Sequence, residues 1–286
     1  METKKSSKWL SKITMKLFGP QLNYKLRYFH QRKRFPNLRH PRNLSERLMS
    51  NLFSPDFLAY AQYADKVKVR DYIKSKGLGA ILLDHYGVWE RPEDIDWSNL
   101  PDKFILKANN GCGNHVICKD KSKLDKNSAI ALLNHSIELG KNSPEPHYRA
   151  IEPKVFAEEL IDTGSNAFPT DYKFTCINGE ICDVFVAVER EVSVKYITLD
   201  LEWNVLPYTK MEYLPKYIPE KPNHLSDMIE IARRLSVDFE FVRVDLYEYH
   251  DKVYFSELTF SPWGTLMYSY TDEALEILGK KFEKED

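Results

Sequence analysis

The chain has 286 residues, 43% hydrophobic and 29% charged, the composition of a globular protein with room for one large domain or two coupled ones. No run of 18 apolar residues occurs, which excludes a spanning helix. The opening Met-Glu-Thr-Lys-Lys-Ser-Ser-Lys lacks the apolar core of a signal peptide, so the expected location is cytoplasmic. The net charge of −1 hides an asymmetry, because residues 1–50 carry thirteen Lys and Arg against two acids. Such a leader suits peripheral contact with the anionic inner face of a membrane, or simply a solvated helix face. No nucleic-acid-binding signature accompanies it. The four cysteines show no C-x-x-C spacing and are expected as buried, reduced thiols rather than a zinc site.

Residues 1–100 read as a mainly helical basic region. Trp9, Leu10, Ile13, Leu17 and Phe18 recur at helical spacing before Gly19-Pro20, an expected stop, and further breaks fall at Pro36, Pro41 and Pro55. Asp65 is expected to cap a helix that Gly77 ends. Residues 78–102 read as short elements and loop. A strand over 103–108 turns through a glycine loop into a strand over 115–119. A helix over about 127–139 follows, with Gly140 as its stop. Strands are expected near 155–161, 171–177 and 181–189, the last two joined by Asn178-Gly179, a strong hairpin signal. A helix over 225–235 precedes a final hairpin, 241–247 with 254–260. Antiparallel hairpins with helices between them imply an α+β fold.

The final hairpin carries the most chemistry. Val242, Val244 and Leu246 alternate with Arg243 and Asp245, and Leu258 and Phe260 alternate with Glu257 and Thr259. One face is therefore apolar and the other charged. Acids are depleted in strands, so Asp245 and Glu257 need either a shared divalent cation or a salt bridge to Arg243. They become direct cross-strand partners only if the connection is odd, such as His250-Asp251-Lys252. A two-residue turn His250-Asp251 puts them on opposite faces.

Upstream, Lys107 precedes Asn109-Asn-Gly-Cys-Gly113. This is neither a Walker A loop nor a dinucleotide fingerprint, and reads as a bare hairpin tip or as a backbone nest for phosphate beside a fixed cation. The irregular end of the strand at Glu159 and Leu160 suits adenine recognition by main chain. Asp171 and Lys173, on one strand face, read either as ordinary surface charges or as an acceptor for ribose hydroxyls with a cation for a phosphate. Asp94-Ile-Asp96 offers a competing reading, a D-x-D that holds a metal and a sugar nucleotide in many glycosyltransferases.

In order, these segments resemble the ATP-grasp superfamily, and within it the TupA-like branch associated with teichuronopeptide and other cell-surface polysaccharides. The resemblance rests on Ala64-Asp-Lys-x-x-Val-Arg70, Ile95-Asp96 with Leu100-Pro101, the segment 104–113, Ala157-Glu-Glu159, Asp171-Tyr-Lys-Phe174, and the two strands 242–247 and 255–260. It implies two α+β subdomains clasping ATP over 101–286, a lid at about 101–156 and a metal-binding core at about 157–286. It also implies that Lys107, Lys173, Asn110, Gly111, Cys112 and Gly113 contact the nucleotide, with Glu159 and Leu160 at the adenine and Asp171 at the ribose. Asp245, Glu257 and Thr259 are then magnesium ligands, and Arg243 and Lys107 face the transferred phosphoryl group. The implied activity is an ATP-dependent carboxylate–amine ligase acting on small or polysaccharide-linked substrates, with a non-catalytic ATP-binding protein as the alternative. Two departures stand out. Thr259 occupies a position where Asn is common, and Asn110 and Cys112 replace the His and Ser usual in the lid of this branch.

Overall fold

A computed structural model of the chain describes residues 19–111, 113–164, 169–189 and 194–283. The apolar repeat of Trp9 to Phe18 and the thiol of Cys112 lie outside those residues. The helix that Gly19-Pro20 is expected to stop lies outside those residues too, and 19–32 are the described part of a helix, α1. Helix α2 (Leu44–Leu52) follows, capped by Asn43 Oδ1 accepting from Glu46 N at 3.0 Å. Short helices α3 (Ala61–Ala64) and α4 (Val69–Ser75) come next. Asp65 Oδ1 accepts from the N–H groups of Val67 and Lys68 and so caps the turn leading into α4.

The first sheet contains β1 (His85–Trp89), β2 (Phe104–Ala108), β3 (Val116–Cys118) and β4 (Val155–Glu158) in the antiparallel order β1-β4-β2-β3. Helix α5 (Lys126–Lys141) covers it, burying Leu133 and Ile137 against Leu106, Val155 and Ala157. One turn of helix, α6 (Pro146–Arg149), leads back into β4.

The second sheet is β5 (Asp171–Ile177), β6 (Glu180–Val188), β7 (Lys195–Leu199), β8 (Phe241–Tyr249) and β9 (Lys252–Thr259), in the antiparallel order β7-β6-β5-β8-β9. Asn178 and Gly179 turn β5 into β6 with φ of 52° and 81°, the left-handed pair that a two-residue hairpin needs. On one face Phe174, Val184, Val186, Val242, Val244 and Leu246 pack with Met228, Ala232 and Leu235 of α7 (Leu225–Ser236). The other face divides. Half is charged, and half is covered by α2, α8 (Asp272–Lys280) and the connection 261–271, where Phe185, Tyr270 and Leu275 form a separate core.

Three elements differ from expectation. β1 has an alternating half-exposed pattern with no strongly apolar face, and Gly87 in its middle, so it left little periodic signal. β7 and α8 were unexpected too; α8 is capped by Thr271 Oγ1, which accepts from Ala274 N. α5 runs past Gly140 to Lys141. Of the described cysteines, Cys118 and Cys176 are buried and Cys182 is half-buried, all as free thiols.

Candidate functional site

The charged face of the second sheet is built by strand register. On β5, Asp171, Lys173 and Thr175 alternate with apolar residues, and Lys173 lies opposite Asp245 of β8. On β9, Glu257 lies opposite Asp245 and Thr259 opposite Arg243. A three-residue connection is not what achieves this. The turn is His250-Asp251, both left-handed at φ 46° and 55°, with Tyr249 paired to Lys252. The odd residue is Ser256, a β-bulge between the pairs Leu246–Phe255 and Asp245–Glu257. The expectation that a two-residue turn would put the two carboxylates on opposite faces is therefore overturned, because the bulge in β9 shifts the register by one.

Asp245 is fully buried. Arg243 grips it in a fork, Nε to Oδ1 and Nη2 to Oδ2, both at 2.7 Å. Lys173 donates at 2.5 Å to Asp245 Oδ2 and at 2.5 Å to Asp171 Oδ2. Burial pushes the Asp245 carboxyl upward, while Arg243 and Lys173 pull it the other way. Glu257 differs, keeping 33% of its side chain exposed toward the cleft. Its Oε2 is 3.7 Å from Lys66 Nζ, and Oε1 accepts from Thr259 at 3.2 Å. Burial works to raise Glu257, but Lys66, Lys173 and Arg243 together hold it down at about 2. Thr259 Oγ1 also accepts from Arg243 at 3.3 Å. Behind Arg243, burial pushes the fully buried Asp183 up to about 7, and Tyr270 donates to it at 3.1 Å.

The first sheet supplies the opposite wall. Lys107 on β2 is bonded to Glu158 on β4, whose other oxygen is 3.7 Å from His85 Nε2. Burial alone would raise Glu158; Lys107 and His85 hold it at about 2. Burial, with Lys107 and Lys66 near, lowers His115 to about 4, so it is neutral at physiological pH. Between the walls lies a cleft of about 220 Å³. Lys66, Arg70, Lys107 and Lys173 line its polar part, and Leu82, Leu83, Phe156, Tyr247 and Phe255 its apolar part. Gly113 lines it as well.

The sequence-derived residues do not all gather there. Lys107, Gly113, Asp171, Lys173 and Glu257 line the cleft, and Asp245, Arg243 and Thr259 lie in the sheet beneath. Glu159 and Leu160 sit half-buried just past β4, with Glu159 N bonded to Asp84 O, and Glu158 is the glutamate that reaches the cleft. Asn110 is buried and turned toward α5, with Nδ2 3.4 Å from Ile137 O. Gly111 and Gly140 serve close packing: a Cβ on Gly111 would come 2.6 Å from Ser136 Oγ, and one on Gly140 2.4 Å from Asn110 O. Glycine at 140 is therefore required by the loop that crosses α5, not by the end of the helix. Asp94 pairs with Arg91, and Asp96 accepts from Ser98 and Asn99, both exposed in local turns away from the cleft. Neither Asp94 nor Asp96 lines the cleft.

Lys66, Arg70, His85, His115 and Glu158 were not foreseen as site residues. The motifs Ala64-Asp-Lys-x-x-Val-Arg70 and Ala157-Glu-Glu159 carried the signal for Lys66, Arg70 and Glu158. Lys66 Nζ also donates to Gly111 O at 2.9 Å, tying the glycine loop to the floor beside Glu257. Among the described residues no three His, Cys, Asp or Glu side chains form a metal cage. Magnesium needs none when one or two carboxylates share it with phosphate oxygens. Of the opposed pair, Glu257 is the carboxylate that opens to the cleft, while both oxygens of Asp245 are held by Arg243 and Lys173.

Two antiparallel sheets facing a cation-lined cleft, with carboxylates on three adjacent strands of one, have the architecture of an ATP-grasp protein. The chain belongs to the TupA-like ATP-grasp family, whose model matches residues 43–283. Among solved structures it is similar to D-alanine–D-alanine ligase from Bacillus anthracis complexed with ATP, at 14% identity and a TM-score of 0.43, over 71% of this chain and 55% of that one. The Helicobacter pylori D-alanine–D-alanine ligase gives 17% and 0.43, over 77% and 61%. N5-carboxyaminoimidazole synthase from Aspergillus clavatus gives 12% and 0.44, over 71% and 45%. This chain thus spans well under two thirds of the length of each. No curated protein matches the sequence. Among the described residues no helix is long and apolar enough to cross a membrane.

Proposed function

We propose that this protein is an ATP- and magnesium-dependent carboxylate–amine ligase of cell-surface polysaccharide synthesis, working in the cytoplasm on an amino-acid or sugar-acid substrate. The observation that carries the reading is the Asp245–Glu257 pair, flanked by Lys173 and Arg243 and roofed by Lys66 and Lys107. In this reading the first sheet, with β1 included, is the lid and the second is the core.

The chemistry needs positioning and charge neutralisation rather than a protein nucleophile. Magnesium, held by Glu257 and Asp245 with Thr259 beside them, would neutralise phosphate oxygens. Lys107 and Lys173 are placed to bind phosphates, exchanging their present carboxylate partners for phosphate oxygens when nucleotide enters. Arg243 lies at the carboxylate end of the floor, where it orients the acid that receives the γ-phosphoryl group. In that step the bond from the γ-phosphorus to its bridging oxygen breaks, giving ADP and an acyl phosphate. The amine nitrogen then attacks the acyl carbon, phosphate leaves, and an amide forms with loss of a proton from nitrogen. His115, neutral and inside the cleft, adds no charge opposing magnesium. Leu82, Leu83, Phe156 and Phe255 make the apolar surface for adenine.

The test is ADP release from purified protein with ATP, magnesium, and panels of uronic and amino acids. The reading expects ADP only when both an acid and an amine are present, and loss of it with Glu257→Ala. AMP and pyrophosphate as products would overturn it.

A further inference from the structure

Helix α1 lies wholly outside the stretch matched by the family, and its two faces do different things. Tyr24, Tyr28 and Arg32 recur at i, i+4 and i+8 and are buried. Tyr24 rests on Gly264, Arg27 Nη2 donates to the Tyr268 hydroxyl, and Arg32 donates to the carbonyls of Met267 and Tyr270. This face bolts the helix to the connection that follows β9. The opposite face carries Leu22, Leu26 and Phe29 at i, i+4 and i+7, exposed by 36, 37 and 41%. Phe35, 56% exposed, extends the stripe by stacking on Phe29 with ring centroids 4.7 Å apart.

Large apolar side chains exposed in a contiguous stripe, on a helix firmly held from behind, indicate an external partner. The charge around the stripe says which. Residues 19–45 contain Lys25, Arg27, Arg32, Lys33, Arg34, Arg39 and Arg42 and no acidic residue, and of these Arg32, Arg34 and Arg42 are paired with Asp272, Glu276 and Glu46 from beyond that segment. Among the described residues none pairs with Lys25, Lys33 or Arg39, and the latter two are exposed. A second protein surface or copy of this chain would have to bury these cations or supply acids against them. Nucleic acid would use the cations but not Leu22 and Leu26, which carry no donor or acceptor, and one face of each phenylalanine ring is already occupied by the other. An anionic bilayer surface uses both features, with headgroups around the lysines and arginines and the apolar stripe in the acyl boundary.

We infer that the outer face of α1, with Phe35, is a docking surface for an anionic phospholipid bilayer, holding the cleft beside the membrane. This does not depend on the ligase reading. The test is co-sedimentation of the full chain with vesicles of phosphatidylcholine alone and of phosphatidylcholine mixed with phosphatidylglycerol. Binding is expected only to the anionic vesicles, weakening as salt rises. It should drop by roughly tenfold or more in Leu26→Glu/Phe29→Glu and in Lys33→Glu/Arg39→Glu. All four positions are exposed, so thermal melts should stay at the wild-type value. Failure to bind anionic vesicles, or unchanged binding by both double variants, overturns the inference. So does self-association or RNA binding that takes the place of vesicle binding and is lost in the same variants.

Discussion

Glu257 stands directly opposite Asp245 across β8 and β9, and the bulged Ser256 puts it there. The two carboxylates share a face but not an environment. Asp245 is sealed between Arg243 and Lys173, whereas Glu257 opens to the cleft beside Lys66. Substituting them should separate stability from activity. Asp245→Asn leaves Arg243 and Lys173 buried with a neutral partner and should cost about 3–5 kcal/mol, while Glu257→Gln should stay within about 1 kcal/mol. Both should lower ADP formation by about a hundredfold or more. Urea denaturation beside the ADP assay checks this, and equal stability losses would contradict the assignment of Asp245 as the sealed member.

Lys66 bonds the Gly111 carbonyl and approaches Glu257, so it links the glycine loop to the floor. Lys66→Met should raise the KM for ATP by roughly tenfold, because a cation of the cleft wall and the loop anchor are lost together. The fold should survive, since the side chain lies at the cleft wall. Steady-state kinetics at varied ATP would reveal an unchanged KM if Lys66 were only structural.

Gly140 tests a conflict between propensity and packing. Alanine is favoured over glycine in a helix interior by about 1 kcal/mol. Here the added methyl would come 2.4 Å from the Asn110 carbonyl oxygen, a backbone atom that can yield only by moving the glycine loop. Gly140→Ala should therefore destabilise by about 1–3 kcal/mol. A melting temperature at or above wild type would show that the loop gives way freely.

His147 is fully buried against Phe57 and Tyr148, and neither ring nitrogen has a hydrogen-bond partner among the described residues. Burial, helped by Arg149 and Lys66, lowers it to about 3 from an ordinary 6.5. Below about pH 6.5 the unfolded chain takes up a proton that the folded one refuses. Its contribution is therefore intact above that pH and falls as pH drops toward 3, by at most about 1.4 kcal/mol per pH unit. Glu145, raised to about 7 by burial, acts in the reverse sense, favouring the folded state less as pH climbs from its ordinary range to 7. His147→Phe should flatten the acid-side slope in denaturation curves taken between pH 6.5 and 4. An unaltered slope would assign it to other groups.

Thr259 stands where Asn is common in the resembling ligases, and its hydroxyl is held by Arg243 and Glu257. An amide oxygen is a better ligand for magnesium than a threonine hydroxyl. Thr259→Asn should lower the magnesium concentration that gives half-maximal ADP formation by several-fold. Titration with magnesium at saturating ATP decides it, and a raised requirement would mean the hydroxyl serves Arg243 instead.

Much of this was legible in the chain itself, because it is local. Alternation along 241–247 and 255–260 sorted apolar from charged faces, and Asn178-Gly179 named its own turn. The family motifs marked Lys107, Lys173 and the carboxylates. What the sequence could not express is anything set by contact between distant segments. Whether the odd residue fell in the turn or in the strand depended on how Ser256 bulges against β8. Whether Gly111 and Gly140 served phosphate, a helix stop or close packing depended on where the loop crossed α5. Lys66, His115 and Glu158 reach one cleft from three separate elements, and their charges acquire partners only once the sheets face each other. Periodicity reports which side a residue is on; only the packed chain decides what lies across from it.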